Sequence, residues 1–570
     1  MNDLAEPLPA RHEASGMREQ AMRVSPDRHL ALVAAATLTL CLLAGAALAI
    51  AWITRQPVIN AWDELGHINH SLADRLVLLQ QGWGALRDRL FVGERWLPPG
   101  VRFIGLPIAL VAGDAAVLAL RLTAIACHVV TVLLLVAAAR MLVPASAALM
   151  AGVLFAATPI ALLLAQDFMT ECALHPLLAL ALLLMAREIA VPRAGWPSLL
   201  LLGAALGAGA LAKLTFLPAA GLAYLAMLVL AHRRTAPALA WRMTERRVLL
   251  PLIPAVLVGW PHYVLNAGRY LEYARATADG FAFATWPETG LAFVARALLH
   301  ITDRAVGPGL MLALLVLVVL ALASMRGHRA RPERRDDAMA LLLLGLAAGA
   351  PSILAFMLSS NQTTRYLGTG LLGIALAAGA LLALATPRLG AIGTWTVAGL
   401  AVAQLAIAGG VATAGPQAGR LIGFSTLAWR DNTACTHDAL VGLARDHGLA
   451  APSIAIVGLS SGVNRVVVRH AFLRAGMLAT THEMIEATPP PIDWPTLMRA
   501  ATASDIVLVL DEATPSALAT YPVANGAREP FLARLAEAGG FMSAGTLPAS
   551  AQAACRARVF LRTQSIAPQH

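Results

Sequence analysis

A polytopic, mainly α bundle of transmembrane helices with a small α/β domain at its C-terminal end is the architecture this sequence predicts, on three observations. Hydrophobic residues fill 58% of 570 positions and charged ones only 13%, and the mean hydropathy is +0.68, outside the range of soluble globular chains. About eleven apolar runs approach the roughly 20 helical residues needed to cross about 30 Å of hydrocarbon. Beyond about residue 420 the composition changes, and strand-like stretches begin to alternate with helix-like ones.

Residues 1–28 mix arginine with acidic residues and form a tail. The run that follows is too long for a signal-peptide core and lacks a small-residue cleavage site, so it reads as a retained anchor. The expected spans cover 30–54, 115–139, 144–164, 170–190, 197–217, 218–231, 248–265, 307–325, 338–358, 366–386 and 392–412, within a transmembrane domain over 29–413. The run from Val101 to Gly113 is too short to cross and reads as a re-entrant or interfacial piece leading into the second span. Arginines concentrate in alternate short loops, at Arg140, Arg187 and Arg193, Arg233 to Arg247, Arg326 to Arg335, and Arg388. Because basic residues near span ends stay on the cytoplasmic side, the N-terminus is expected in the cytoplasm. The loops 55–101 and 266–305, and the domain at 420–570, then lie on the opposite face.

The net charge of +10 is spread over these loops, where it sets topology against anionic lipid and does not form a nucleic-acid surface. Of five cysteines, Cys41, Cys127 and Cys172 lie in or beside spans and read as small apolar residues. Cys435 and Cys555 fall in the C-terminal region, where one bridge is permitted. In that region Ser453–Leu459 and Asp505–Leu510 read as strands, and Arg465–Ala475 and Glu529–Ala538 as helices. The Gly458-Leu459-Ser460-Ser461-Gly462 turn is a strand-to-helix connection more readily than a phosphate cradle.

Polar residues in the membrane part carry the most information, since each is costly to keep there. Asp63 and Glu64 stand side by side just beyond the first span, in a loop that also holds Trp62, Trp83 and Trp96, as a segment in the headgroup layer would. Asp167 and Glu171 flank the turn between the third and fourth spans. Lys213 ends the fifth, His262, Tyr263 and Asn266 close the seventh, and Asn361, Gln362, Arg365 and Tyr366 separate the ninth from the tenth. All map to one face of the membrane. Lys213 is also the only lysine in the chain. A compact ammonium suits a phosphate as a point charge, although snorkelling to the interface explains it as well. On a helix beginning near Asp63, that residue shares a face with His67 and His70. The set can bind a divalent ion, and exposed histidines on an interfacial helix are the plainer alternative.

In this order the motifs resemble the C-type integral-membrane glycosyltransferases: a span, a loop opening with Asp63-Glu64, Arg121 early in the next long span, Thr158-Pro159, the Asp167–Glu171 turn, Gly209-Ala210-Leu211-Ala212-Lys213, and Arg365-Tyr366-Leu367. They are similar in particular to bacterial relatives of the protein mannosyltransferases and the lipid A aminoarabinose transferases. The likeness covers roughly 30–220 and 360–375, and no family pattern is visible over 266–305. It implies a polyprenyl-phosphate sugar donor, a bacterial inner membrane and an extracytoplasmic acceptor. Asp63 is then the candidate general base, and Glu64 beside it either orients it, binds a divalent ion or faces away. Lys213, Arg365 and Tyr366 are candidates for the donor phosphate, and Asp167 or Glu171 for placing the acceptor or an ion; a carboxylate at a helix N-terminus is an equally good account of these two. A divalent metal is the one cofactor the set admits. The rival reading is a transporter of a lipid-linked or small anionic substrate, whose polar residues should gather near the bilayer midplane in two related halves. Here they gather at one surface.

Overall fold

Broken and joined helices, more than the apolar runs themselves, shape the end of the bundle where these residues collect. The computed structural model describes residues 26–55, 62–93, 98–191, 195–271, 290–327, 332–358, 364–414, 437–460, 462–485, 492–511, 525–547 and 556–563. Asn361, Gln362, Cys435 and Cys555 lie outside them, so the expected bridge does too.

The membrane part contains α1 (Pro26–Arg55), α2 (Trp62–Asp88), α3 (Gly100–Ala112), α4 (Ala116–Arg140), α5 (Ala145–Ala156), α6 (Pro159–Leu164), α7 (Glu171–Ala190), α8 (Trp196–Ala212), α9 (Phe216–Arg234), α10 (Pro237–Leu265), α11 (Gly290–Leu299), α12 (Pro308–Gly327), α13 (Pro332–Leu358), α14 (Leu367–Leu384) and α15 (Pro387–Ala414). Nine candidate spans are long and apolar enough to cross a membrane among the described residues, with α3 and α4 counted as one run. The expected count of eleven included two runs that form shorter helices, α5 and α8. The run 144–164 divides because α5 stops at Ala156 and Thr158 caps a new helix, accepting a hydrogen bond from the Ala161 amide at 3.3 Å with Pro159 in the first turn. The run 197–217 ends early because Lys213 is extended, with φ −167° and ψ 141°. Val101–Gly113 is a helix of its own, joined to α4 by one tight turn at Gly113–Ala115.

Small residues set how closely the spans pack. A Cβ at Gly373 of α14 would lie 2.3 Å from the Gly345 carbonyl oxygen of α13, so these backbones touch directly, as small residues allow in membrane bundles. At Gly100 a Cβ would lie 2.6 Å from the Ala212 Cα. The start of α3 therefore seats against the last residue of α8 and fixes where Lys213 begins.

The C-terminal part comprises α16 (Asp438–Asp446), β1 (Ser453–Val457), α17 (Arg465–Arg474), β2 (Thr480–Glu483), α18 (Trp494–Thr502), β3 (Ile506–Leu510), α19 (Arg528–Ala538), β4 (Phe541–Thr546) and β5 (Ala557–Arg562). The sheet order is β2-β1-β3-β5-β4, with β1 parallel to β2 and β3, and β5 antiparallel to β3 and β4. The continuous apolar run Ile506–Leu510 becomes the fully buried central strand, as expected where both sheet faces are covered. The Gly458 turn is a plain connection: the Ser460 hydroxyl accepts from the Val463 amide at 2.9 Å, and Asn464 caps α17.

α2 is not one of the candidate spans. Its Leu65, Ile68 and Leu72 share one apolar core with Val101 of α3, Leu120 of α4, and Val466, Val467 and Leu473 of α17. The helix that starts beside Asp63 is thus wedged between the bundle end and the C-terminal domain.

Candidate active site

Four separated stretches of chain meet at the N-terminal end of α2. Asp63 stands in the first turn of that helix, where an anion is favoured by the helix dipole. Its carboxylate is 60% exposed and lies 2.5 Å from Arg365 Nη1. Arg365 belongs to the short turn Thr364–Tyr366 that leads into α14. Lys213, at the end of α8, reaches Glu171 Oε1 at 2.6 Å. Glu171 opens α7 and also accepts from the Thr170 hydroxyl at 3.1 Å. The Tyr366 ring holds the two cations apart, with Lys213 Nζ 4.8 Å and the Arg365 guanidinium carbon 5.3 Å from its centroid, distances at which a ring face attracts a cation. Two carboxylates and two cations thus form a charge-balanced cluster around one aromatic ring.

Glu64 is directed elsewhere. Adjacent helical residues point about 100° apart, and Glu64 turns inward to Arg121 Nε at 3.1 Å and the Phe168 amide at 3.4 Å. Burial pushes its carboxyl up to about 8, and Asp167 pushes it the same way against the pull of Arg121. Of the placements open to Glu64, the geometry is that of a carboxylate facing away from Asp63 and tying α2 to α4. Asp167 belongs with this buried pair, whereas Glu171 faces the cations, so the two acids of the turn are divided between two environments.

His67 follows one turn after Asp63. Burial pushes it down to about 4, with His70 and Arg365 acting in the same direction and Asp63 and Glu171 opposing. A neutral ring beside the ion pairs results. Among the described residues no group of three His, Cys, Asp or Glu is placed to hold a metal ion. Of Asp63, His67 and His70, the one carboxylate is engaged by Arg365.

The remaining polar residues of this end are scaffold. The Tyr263 hydroxyl donates to the Ala210 carbonyl just before Lys213, and Asn266 donates to the Phe91 carbonyl at 2.9 Å. His262 pairs with the Tyr270 hydroxyl at 2.9 Å. One network escaped the sequence reading: Asp74, fully buried, takes Arg102 at 2.5 Å and Arg89 at 2.9 Å and so ties α2 to α3. An arginine inside the apolar run 101–113 was the available signal.

Residues 97–260 match the family model described as dolichyl-phosphate-mannose-protein mannosyltransferase. Across 94% of the chain the fold is that of ArnT from Cupriavidus metallidurans bound to undecaprenyl phosphate, with 99% of that chain covered, a TM-score of 0.53 and 14% identity. Its resemblance to the C-type integral-membrane glycosyltransferases is shown. With nine helices long and apolar enough to cross a membrane among the described residues, the chain is a multi-pass membrane protein whose fold is similar to that of ArnT. The apo state of the same ArnT matches at a TM-score of 0.50 and 14% identity, covering 89% of this chain and 95% of that one. An apo oligosaccharyltransferase from Archaeoglobus fulgidus matches at 0.48 and 10%, covering 83% and 69%. No curated protein matches the chain.

Proposed function

We propose that this protein is a glycosyltransferase that moves a sugar from a polyprenyl-phosphate donor to a hydroxyl of an acceptor on the extracytoplasmic side of a bacterial inner membrane, with Asp63 as general base and Lys213 and Arg365 holding the donor phosphate. The observation that carries the reading is the convergence of Asp63, Arg365, Tyr366, Lys213 and Glu171 at one end of the bundle. The matched family and the undecaprenyl phosphate bound to ArnT support a lipid phosphate as the donor's anchor.

The chemistry follows from the charges. Asp63 takes the proton of the acceptor hydroxyl as its oxygen attacks the anomeric carbon, and the bond from that carbon to the phosphate oxygen breaks. A phosphodiester carrying one negative charge leaves as a monoester carrying up to two, so charge develops where the two cations stand. Cations fixed in advance at such a place lower the barrier. Asp63 is paired with Arg365 before a donor arrives. A phosphate that competes for the guanidinium leaves the carboxylate available to accept a proton, so donor binding and activation of the base are linked. Glu171 keeps the Lys213 ammonium in place.

The test uses the full-length protein in membranes with a labelled polyprenyl-phosphate sugar. Asp63→Asn should remove transfer of label while leaving insertion and expression intact. Turnover near that of the parent would eliminate the proposed base.

A further inference from the structure

The helix that carries Asp63 is gripped from two sides. Its apolar residues Leu65, Ile68 and Leu72 lie in a core completed on one side by α3 and α4 and on the other by Val466, Val467 and Leu473 of α17. In the middle of the second contact sits Asn69, 2% exposed. Its amide nitrogen donates to the Val466 carbonyl at 2.8 Å, and its amide oxygen faces His470 Nδ1 at 2.8 Å. A carbonyl can only accept, so the amide orientation is fixed and Nδ1 of His470 must bear the proton. Burial pushes His470 down to about 4, Arg474 adding to the effect, which keeps the ring neutral as this pairing requires. Farther along α2, Gln80 donates to the Gly476 carbonyl at 3.1 Å. Adhesion alone would need only apolar contact. A buried amide with its donor and acceptor both matched admits one rotation and one register of α2 against α17, since any other leaves these groups unpaired.

We propose that the C-terminal domain is a positioning part of the transfer site, acting through Asn69 and His470 on the helix that presents Asp63. The inference rests on Asp63 being the base. Asp63 precedes Asn69 by six residues, about 9 Å along the helix, while its partner Arg365 approaches from the turn that leads into α14. Rotation or sliding of α2 therefore changes the spacing between the carboxylate and the cations, and a displacement of about 1 Å can cost about 10²-fold in rate.

The experiment measures steady-state transfer by the full-length protein in lipid nanodiscs, together with amide hydrogen exchange over residues 63–70. Asn69→Ala and His470→Leu should each lower kcat by about tenfold or more, with donor KM within about twofold and faster exchange in that segment. His470→Asn places an amide nitrogen where Nδ1 stands and should restore kcat to within about threefold of the parent. Asn69→Ser replaces Asn69→Ala should the latter not insert. Unchanged kcat in Asn69→Ala despite faster exchange, or His470→Asn as slow as His470→Leu, overturns the proposal. Asp63→Asn assayed alongside separates the two readings. Near-normal turnover there removes the base itself, whereas its inactivity combined with a harmless Asn69→Ala removes only the positioning role.

Discussion

The two ends of α7 carry the same chemistry in opposite settings. At its start Glu171 pairs with Lys213, whose side chain remains 19% exposed and lies under Tyr366 beside the open Asp63–Arg365 pair. At its end Glu188 pairs with Arg247 at 3.3 Å, both side chains fully sealed. Arg247 also donates to the Thr235 hydroxyl at 3.3 Å, and its carbonyl accepts from Tyr224. About 25 Å of helix separates the two acids. A buried ion pair therefore does not by itself mark a site. What separates a site from a strut is a cation that a ligand can reach, with a second cation and a solvent-exposed carboxylate next to it.

Substitutions at the two ends should accordingly fail in different ways. The largest effect on rate belongs to Asp63→Asn, expected to cost about 10²–10⁴-fold in transfer with little change in the thermal midpoint. At the sealed end, Arg247→Leu should destabilise the protein by about 3–5 kcal/mol, because Glu188 is left buried without its charge partner. Thermal unfolding in detergent reads this, and Glu188→Leu combined with Arg247→Leu should recover most of the loss. A large rate defect from that double variant with stability intact would break the distinction.

Smaller effects sharpen it. Lys213→Ala should reduce kcat/KM for the donor by about 10–100-fold, and Lys213→Arg by less, since a charge is kept while the planar fork fits differently. Equal and negligible losses would assign Lys213 to snorkelling. The smallest effect is one of pH. Glu64 is raised from 4.5 to about 8 in the folded protein, so over that window the native state holds a proton that the unfolded chain has released. The Glu64 contribution to stability should fall as pH rises from about 4.5 to 8, by at most about 1.4 kcal/mol per pH unit, while His67 and His470, lowered from 6.5 to about 4, act in the opposite direction below 6.5. Glu64→Gln should remove that contribution, which is read as the difference between the parent and variant midpoint-versus-pH curves. A parent-minus-variant difference that stays flat across the window would show Glu64 ionised by Arg121.

Much of the site was legible because charge inside an apolar sequence is conspicuous. Asp63, Lys213, Glu171, Arg365 and Tyr366 were each singled out by the cost of keeping them near a membrane, and the structure gathers all five. The finer divisions were not legible. Asp63 and Glu64 are neighbours with the same chemistry, and Arg121 alone decides that the second is buried. Asp167 and Glu171 are parted in the same way by Glu64 and Lys213. Asn69 and His470 gave no signal, being ordinary polar residues 401 positions apart. The two expected spans that form shorter helices were apolar enough. A helix cap at Thr158 and an extended Lys213 cut them short.

By itself the sequence determined the membrane class, two core strands of the C-terminal domain and the set of costly polar residues, because hydropathy and periodicity are local properties of the chain. Which acid meets which cation, which carboxylate stays open to water and which helix the C-terminal domain grips were decided only in three dimensions. Burial and pairing depend on partners as far away as the 302 positions between Asp63 and Arg365, and no local pattern records them.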